Sequence, residues 1–152
     1  MRCILIFLGI VAIFAGDAIC GDDVLEANKK LTAEYILEAW NGEITDFDSY
    51  FADTVDFNGM RIASKSLGEM VKEFKRSFSD ISVKVDRQIA EGDYIVTMVT
   101  FTATHDGEFA GIPPTGKRIT YKGVGIDRIE NGKVIEMWHQ FDTGEVMQML
   151  LQ

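Results

Sequence analysis

Two hydrophobic periods follow one another along this chain, the first suited to helices and the second to strands. Ala27, Leu31, Tyr35 and Ala39 repeat four apart, with Val24, Ile36 and Trp40 beside them. That spacing predicts an amphipathic helix of about four to five turns. Asp22-Asp23 suits its start and Asn41-Gly42 its end. Phe47, Tyr50 and Phe51 predict a short second helix, and Val55-Asp56-Phe57 a short strand closed by Asn58-Gly59. Ser66-Leu67-Gly68-Glu69 has the form of a capping box, with Leu67, Met70, Val71, Phe74 and Phe78 on one helical face behind it. Period two then takes over. Ile81, Val83 and Val85 alternate with polar residues; Glu91-Gly92-Asp93 turns the chain; Tyr94 to Thr104 is long and apolar on both faces toward its start. A Gly/Pro-rich loop leads to a strand from Ile119 to Ile129. Asn131-Gly132 predicts a hairpin to its partner from Val134 to Phe141. The tail from Thr143 predicts a short helix or an arm.

Helices first and antiparallel strands afterwards predict an α+β layer fold, a curved antiparallel sheet closed by the N-terminal helices into a cone. An apolar cone interior is a place for a small apolar molecule. A strand apolar on both faces has something packed on each side, and a second copy of the chain is the expected partner, giving a homodimer.

Composition fits one globular domain, with 47% hydrophobic and 26% charged residues in 152. The net charge of −9 and the lack of a basic stripe argue against nucleic acid. The start is different in kind. Met1-Arg2 precedes an apolar run from Cys3 to Ala15 and then small and polar residues through Gly21. This is the pattern of a signal peptide over 1–20, cleaved after Ala18 or Cys20, with the domain over 21–152. The run is too short for a comfortable membrane span, so the expectation is a secreted or periplasmic protein with no stable span after cleavage. The two cysteines, Cys3 and Cys20, both belong to this segment. The domain therefore lacks an internal disulfide and a thiol nucleophile.

Residues His105 to Lys117 (H-D-G-E-F-A-G-I-P-P-T-G-K) resemble the central motif of the SnoaL-like polyketide cyclases, also called ester cyclases. Arg128 to Trp138 resembles that family's next motif, and Trp138 with Asp142 and Gln148-Met149-Leu150 resembles its C-terminal signature. The resemblance implies a nuclear-transport-factor-like α+β cone. It also implies ring closure by intramolecular aldol condensation without metal or cofactor, with a buried aspartate moving the proton and the motif histidine among the polar neighbours that hold the enolate oxygen.

That chemistry needs a carboxylate in an apolar cavity and a donor aimed at the developing enolate oxygen. His105 is one candidate donor; its structural alternative is a strand-end histidine bonded to the loop. Asp142 shares strand parity with Trp138 and Gln140, so all three are expected on one side; its alternative is a helix cap for the tail. In the family an aspartate stands three residues before the arginine matched by Arg128, and here that place is Gly125. Asp127 points to the same face as Gly125 and either replaces the missing acid or pairs with a surface charge such as Arg128. Tyr35, Trp40, Phe74, Phe78, Trp138 and Gln140 are the expected pocket residues. His139 falls on the face opposite Trp138 by the same parity, and two histidines without a supporting carboxylate spacing do not suggest metal. No phosphate loop or nucleophile elbow is present. The expected function is binding of a small apolar molecule with cyclisation by proton transfer, the alternative being a non-catalytic binding module.

Overall fold

The computed structural model describes residues 21–42, 46–140 and 142–152. The expected signal peptide over 1–20 lies outside the described residues. Helix α1 spans Gly21–Asn41. A 3₁₀ turn at Phe47–Ser49 leads into β1, Phe51–Phe57, and β2, Met60–Ala63. Helix α2 spans Ser64–Ser77. Strands β3 (Phe78–Glu91), β4 (Tyr94–His105), β5 (Arg118–Glu130) and β6 (Lys133–Gln140) follow, and α3 spans Thr143–Leu151. No described helix is long and apolar enough to cross a membrane.

The six strands form one sheet in the order β2-β1-β6-β5-β4-β3. All pairs are antiparallel except β1 with β6, which is parallel. The sheet is thus mixed, where the alternation pattern had predicted antiparallel pairing throughout. The reason is that β1 precedes the helix α2 and enters the sheet beside a strand that arrives much later, a pairing no local turn encodes. Register slips in β3, between Ser79 and Ser82 and between Val85 and Arg87, bend it. The helices lie on the concave side of this bend. Asn41, at the end of α1, ties the helix to the sheet: its Nδ2 donates to the Val83 carbonyl at 2.9 Å, and its Oδ1 accepts from the Val83 N–H at 2.6 Å.

Three local expectations change. Helix α2 starts at Ser64, with Ala63 at the cap position and no side-chain cap bond, so Ser66 lies inside the helix rather than capping it. β2 runs straight into α2, and the buried Ser64 leaves no loop in which a capping box can form. Phe78 leaves the α2 face and opens β3 in extended conformation. The short second helix is a single 3₁₀ turn at Phe47–Ser49 that ends before Phe51, which opens β1; Asp46 caps the turn by accepting from the Ser49 N–H.

The motif loop closes the far end of β4. Its two ends are bonded through His105 N–H to Lys117 O and Gly116 N–H to His105 O, both 2.8 Å. The loop folds back on the end of α2, where the Asp106 and Gly107 N–H groups donate to Ser77 O. A Cβ on Gly107 would stand 2.1 Å from Arg76 O, so this approach requires glycine.

Candidate functional site

The concave face of β5 carries Ile119, Tyr121, Gly123, Gly125, Asp127 and Ile129. Two of these have no side chain, which leaves room above the centre of the sheet. A cavity of about 450 Å³ fills that room. Its far wall is aromatic: Trp40, Phe74 and Phe101 meet edge-on with ring centres 5.3–5.4 Å apart. The size falls within the usual range for small-molecule sites.

The polar end is built on one row of the sheet. Gln88, Thr97, Gly125 and His139 lie side by side on β3, β4, β5 and β6. The next row places Ile95, Asp127 and Met137 together. Asp127 is completely buried. Its Oδ2 accepts from the Tyr35 hydroxyl at 2.7 Å, and its Oδ1 lies 3.1 Å from His139 Nε2. Tyr35 spends its only proton on Oδ2, so an ionised Asp127 requires a proton on Nε2 of the neutral imidazole. Burial first, and then the Asp127 charge and hydrogen bond, push the Tyr35 hydroxyl well above the ordinary tyrosine range. Tyr35 therefore stays a donor.

His139 is held through its backbone and through one face and one nitrogen of its ring. Asn58 brackets its backbone, accepting from His139 N–H at 2.9 Å and donating to His139 O at 3.3 Å. The Phe57 ring stands across the imidazole, 6.0 Å centre to centre. Gly125 supplies the space: a Cβ there would meet His139 Cδ2 and Nε2 at 2.9 Å. The imidazole lines the cavity, and its Nδ1 has no hydrogen-bond partner among the described residues. Thr97 also lines the cavity; its Oγ1 lies 3.2 Å from Gln88 Nε2, which donates to Thr32 Oγ1 at 2.8 Å and to Lys29 O at 2.9 Å on α1.

The residues singled out from the sequence divide. Tyr35, Trp40, Phe74 and Gln140 line the cavity. Asp127 stands behind its wall, screened by Tyr35 and His139 and well away from Arg128, which pairs with Glu136 at 2.9 Å. Phe78 is core, stacked on Phe74 at 4.6 Å. Trp138 lies on the convex face, 48% exposed, with its indole N–H donating to Glu136 at 2.7 Å. Asp142 caps α3, accepting from Glu145 N–H at 2.9 Å, outside the cavity lining. His105 is buried at the loop base, also outside the lining. Its Nδ1 accepts from Thr115 N–H at 3.2 Å and contacts Thr115 Oγ1 at 3.0 Å. Its proton is thereby placed on Nε2, which is buried without a partner among the described residues.

His139 reverses the parity read from sequence. Ile129 faces Val134, but Arg128 faces Glu136, so Ile135 is an extra residue in β6. Past this bulge Met137 and His139 point inward and Trp138 outward. The available signal was the pair of buried-type residues Val134 and Met137, three apart, which strict alternation cannot place on one face. Among the described residues no group of three or more His, Cys, Asp or Glu side chains converges as for a metal.

An α+β cone with an apolar cavity and a Tyr–Asp–His cluster at one end has the nuclear-transport-factor-like fold. A model of the SnoaL-like polyketide cyclase family matches residues 30–150, and the chain belongs to that family. Solved structures agree. AclR of Streptomyces galilaeus is 25% identical over 83% of this chain and 82% of its own, with a TM-score of 0.72. A protein of Acidithiobacillus ferrooxidans described as a polyketide cyclase is 26% identical over 83% and 95%, with a TM-score of 0.73. A SnoaL-like protein of Jannaschia sp. CCS1, 21% identical over 84% and 93%, shares the fold with a TM-score of 0.74. No functionally curated protein matches this chain.

Proposed function

We propose that this chain takes a small apolar molecule with one polar end into the cavity and catalyses cyclisation or isomerisation by proton transfer, without a cofactor. The observation that carries this reading is the pair formed by His139, which lines a largely apolar cavity, and the fully buried Asp127 behind it, 3.1 Å apart. A charged or proton-moving pair costs several kcal/mol to bury, so its place beside a cavity favours chemistry over simple packing. The test is saturable uptake of 2-naphthol, followed by Trp40 fluorescence. One ligand per chain is expected, with uptake abolished by Val99→Trp, which fills the cavity; failure of the wild type to bind overturns the reading.

The active form on this reading is a secreted or periplasmic homodimer. The N-terminal apolar segment supports export. The convex face supports the dimer: Val96, Ile126 and Trp138 form one row across β4, β5 and β6, beside Met98 and Val124. Several charges around it are paired, Arg128 with Glu136 and Asp86 with Lys84 and Lys122, so a second copy of the same face fits better than a strongly charged partner. Ile126→Asp is expected to convert a sedimenting dimer to monomer; a monomeric wild type at micromolar concentration overturns the dimer. A mass trimmed near Gly21 on the exported chain tests the export.

A further inference from the structure

We propose that His139, and not Asp127, exchanges the proton with the ligand, through its Nδ1, and that Asp127 and Tyr35 are positioning residues. This rests on the proton-transfer reading above. Asp127 is 0% exposed and both of its oxygens are engaged, so no ligand carbon reaches it. His139 is the member of the cluster with a nitrogen that has no partner among the described residues, its side chain is 30% exposed, and it lines the cavity. The carboxylate holds the ring in the tautomer that leaves Nδ1 unprotonated, and then pairs the imidazolium once Nδ1 has taken a proton. Asp127 on β5 and Tyr35 on α1 are the titratable groups that face the ring.

The step is balanced without a co-reactant. The Nδ1 lone pair takes a proton from a carbon beside a carbonyl. The C–H pair becomes the enolate double bond, and the carbonyl π pair moves onto oxygen. Return of the proton from Nδ1 to carbon reverses every movement. Thr97 stands in the same row as His139, two strand spacings or about 10 Å away. Its hydroxyl oxygen lies 3.2 Å from Gln88 Nε2, whose two protons have the shorter acceptors Thr32 Oγ1 and Lys29 O, and its own proton has no acceptor among the described residues, so it is the donor available to the ligand oxygen. The ligand class that fits is a neutral ketone with an acidic α-carbon on a flat ring system, set against Trp40, Phe74 and Phe101.

Two probes test this. 2-Naphthol imitates the enol, and 2-tetralone is the matching ketone. In protein with nitrogen-15 histidine, only His105 and His139 report. Saturating 2-naphthol is expected to move the His139 Nδ1 resonance and leave His105 unchanged. In D₂O the wild type is expected to place deuterium on the α-carbon of 2-tetralone, and His139→Gln, folded by circular dichroism and still binding 2-naphthol, to lose this by about 100-fold or more. Bound 2-naphthol with an unmoved Nδ1, or exchange by His139→Gln at the wild-type rate, overturns the assignment and leaves the cavity reading standing. A wild type that binds 2-tetralone without exchanging it overturns the proton-transfer reading and this assignment together. Failure to bind either probe overturns the cavity reading and this assignment with it.

Discussion

The imidazole of His139 occupies the space that a side chain at Gly125 would fill, with Cδ2 and Nε2 each 2.9 Å from the position of a Cβ there. Glycine on β5 and histidine on β6 are therefore one feature. Gly125→Ala is expected to displace the ring from Asp127. The obstacle is a side chain that can swing away, so the cost in folding stability stays within about 1.5 kcal/mol. The loss shows instead in the His139 imidazole resonances, which move to those of a ring without a carboxylate partner. Unchanged resonances in Gly125→Ala would sink this coupling.

Tyr35 bears on stability and on pH together. Tyr35→Phe removes one of the two donors to a buried carboxyl group and is expected to cost about 1–3 kcal/mol at neutral pH. The Tyr35 hydroxyl is held well above its ordinary value of 10.0, chiefly by burial. A group raised in the folded state contributes stability that is complete below its unfolded value and is lost as pH rises toward the folded one. Wild-type stability should thus fall above about pH 10, and Tyr35→Phe should fall less steeply there. Parallel alkaline limbs in chemical denaturation would contradict this.

Glu136 has the opposite sign. The Trp138 indole N–H, and after it the Arg128 guanidinium, hold its carboxyl below the ordinary value of 4.5. Its contribution is present above 4.5 and disappears as pH falls through the lowered folded value. Unfolding midpoints of the wild type should therefore drop more between about pH 5 and pH 3 than those of Glu136→Gln. The pair is partly exposed, and the difference should be no more than about 1 kcal/mol. Equal slopes would show that the lowered carboxyl does not contribute.

Asp142 separates a cap from a site. Asp142→Ala removes the bond to Glu145 N–H at the start of α3 and is expected to destabilise the chain by about 1 kcal/mol. Affinity for 2-naphthol should not change, because Asp142 is not in the cavity lining. A weakened affinity at full folding would place Asp142 in the site after all.

The sequence by itself determined the order of the main helices and long strands, the cone and the family, but not the short strand β2. Those rest on local periods and on a motif whose residues fold back on their own neighbours, as His105 does with Thr115 and Gly107 with the end of α2. It also determined that Asp127 shares a face with Gly125, because β5 alternates without interruption from Ile119 to Arg128. Only the tertiary structure decided which residues of β6 look inward. One extra residue at Ile135 exchanges the two faces of the strand, which takes Trp138 to the convex side and brings His139 to Asp127. A bulge is fixed by pairing with the neighbouring strand, so strict alternation read along one segment passes over it. The partners of Asp127 were beyond the sequence for the same physical reason: Tyr35 lies 92 residues away on a helix, and only the packing of α1 over the sheet brings its hydroxyl to the carboxylate.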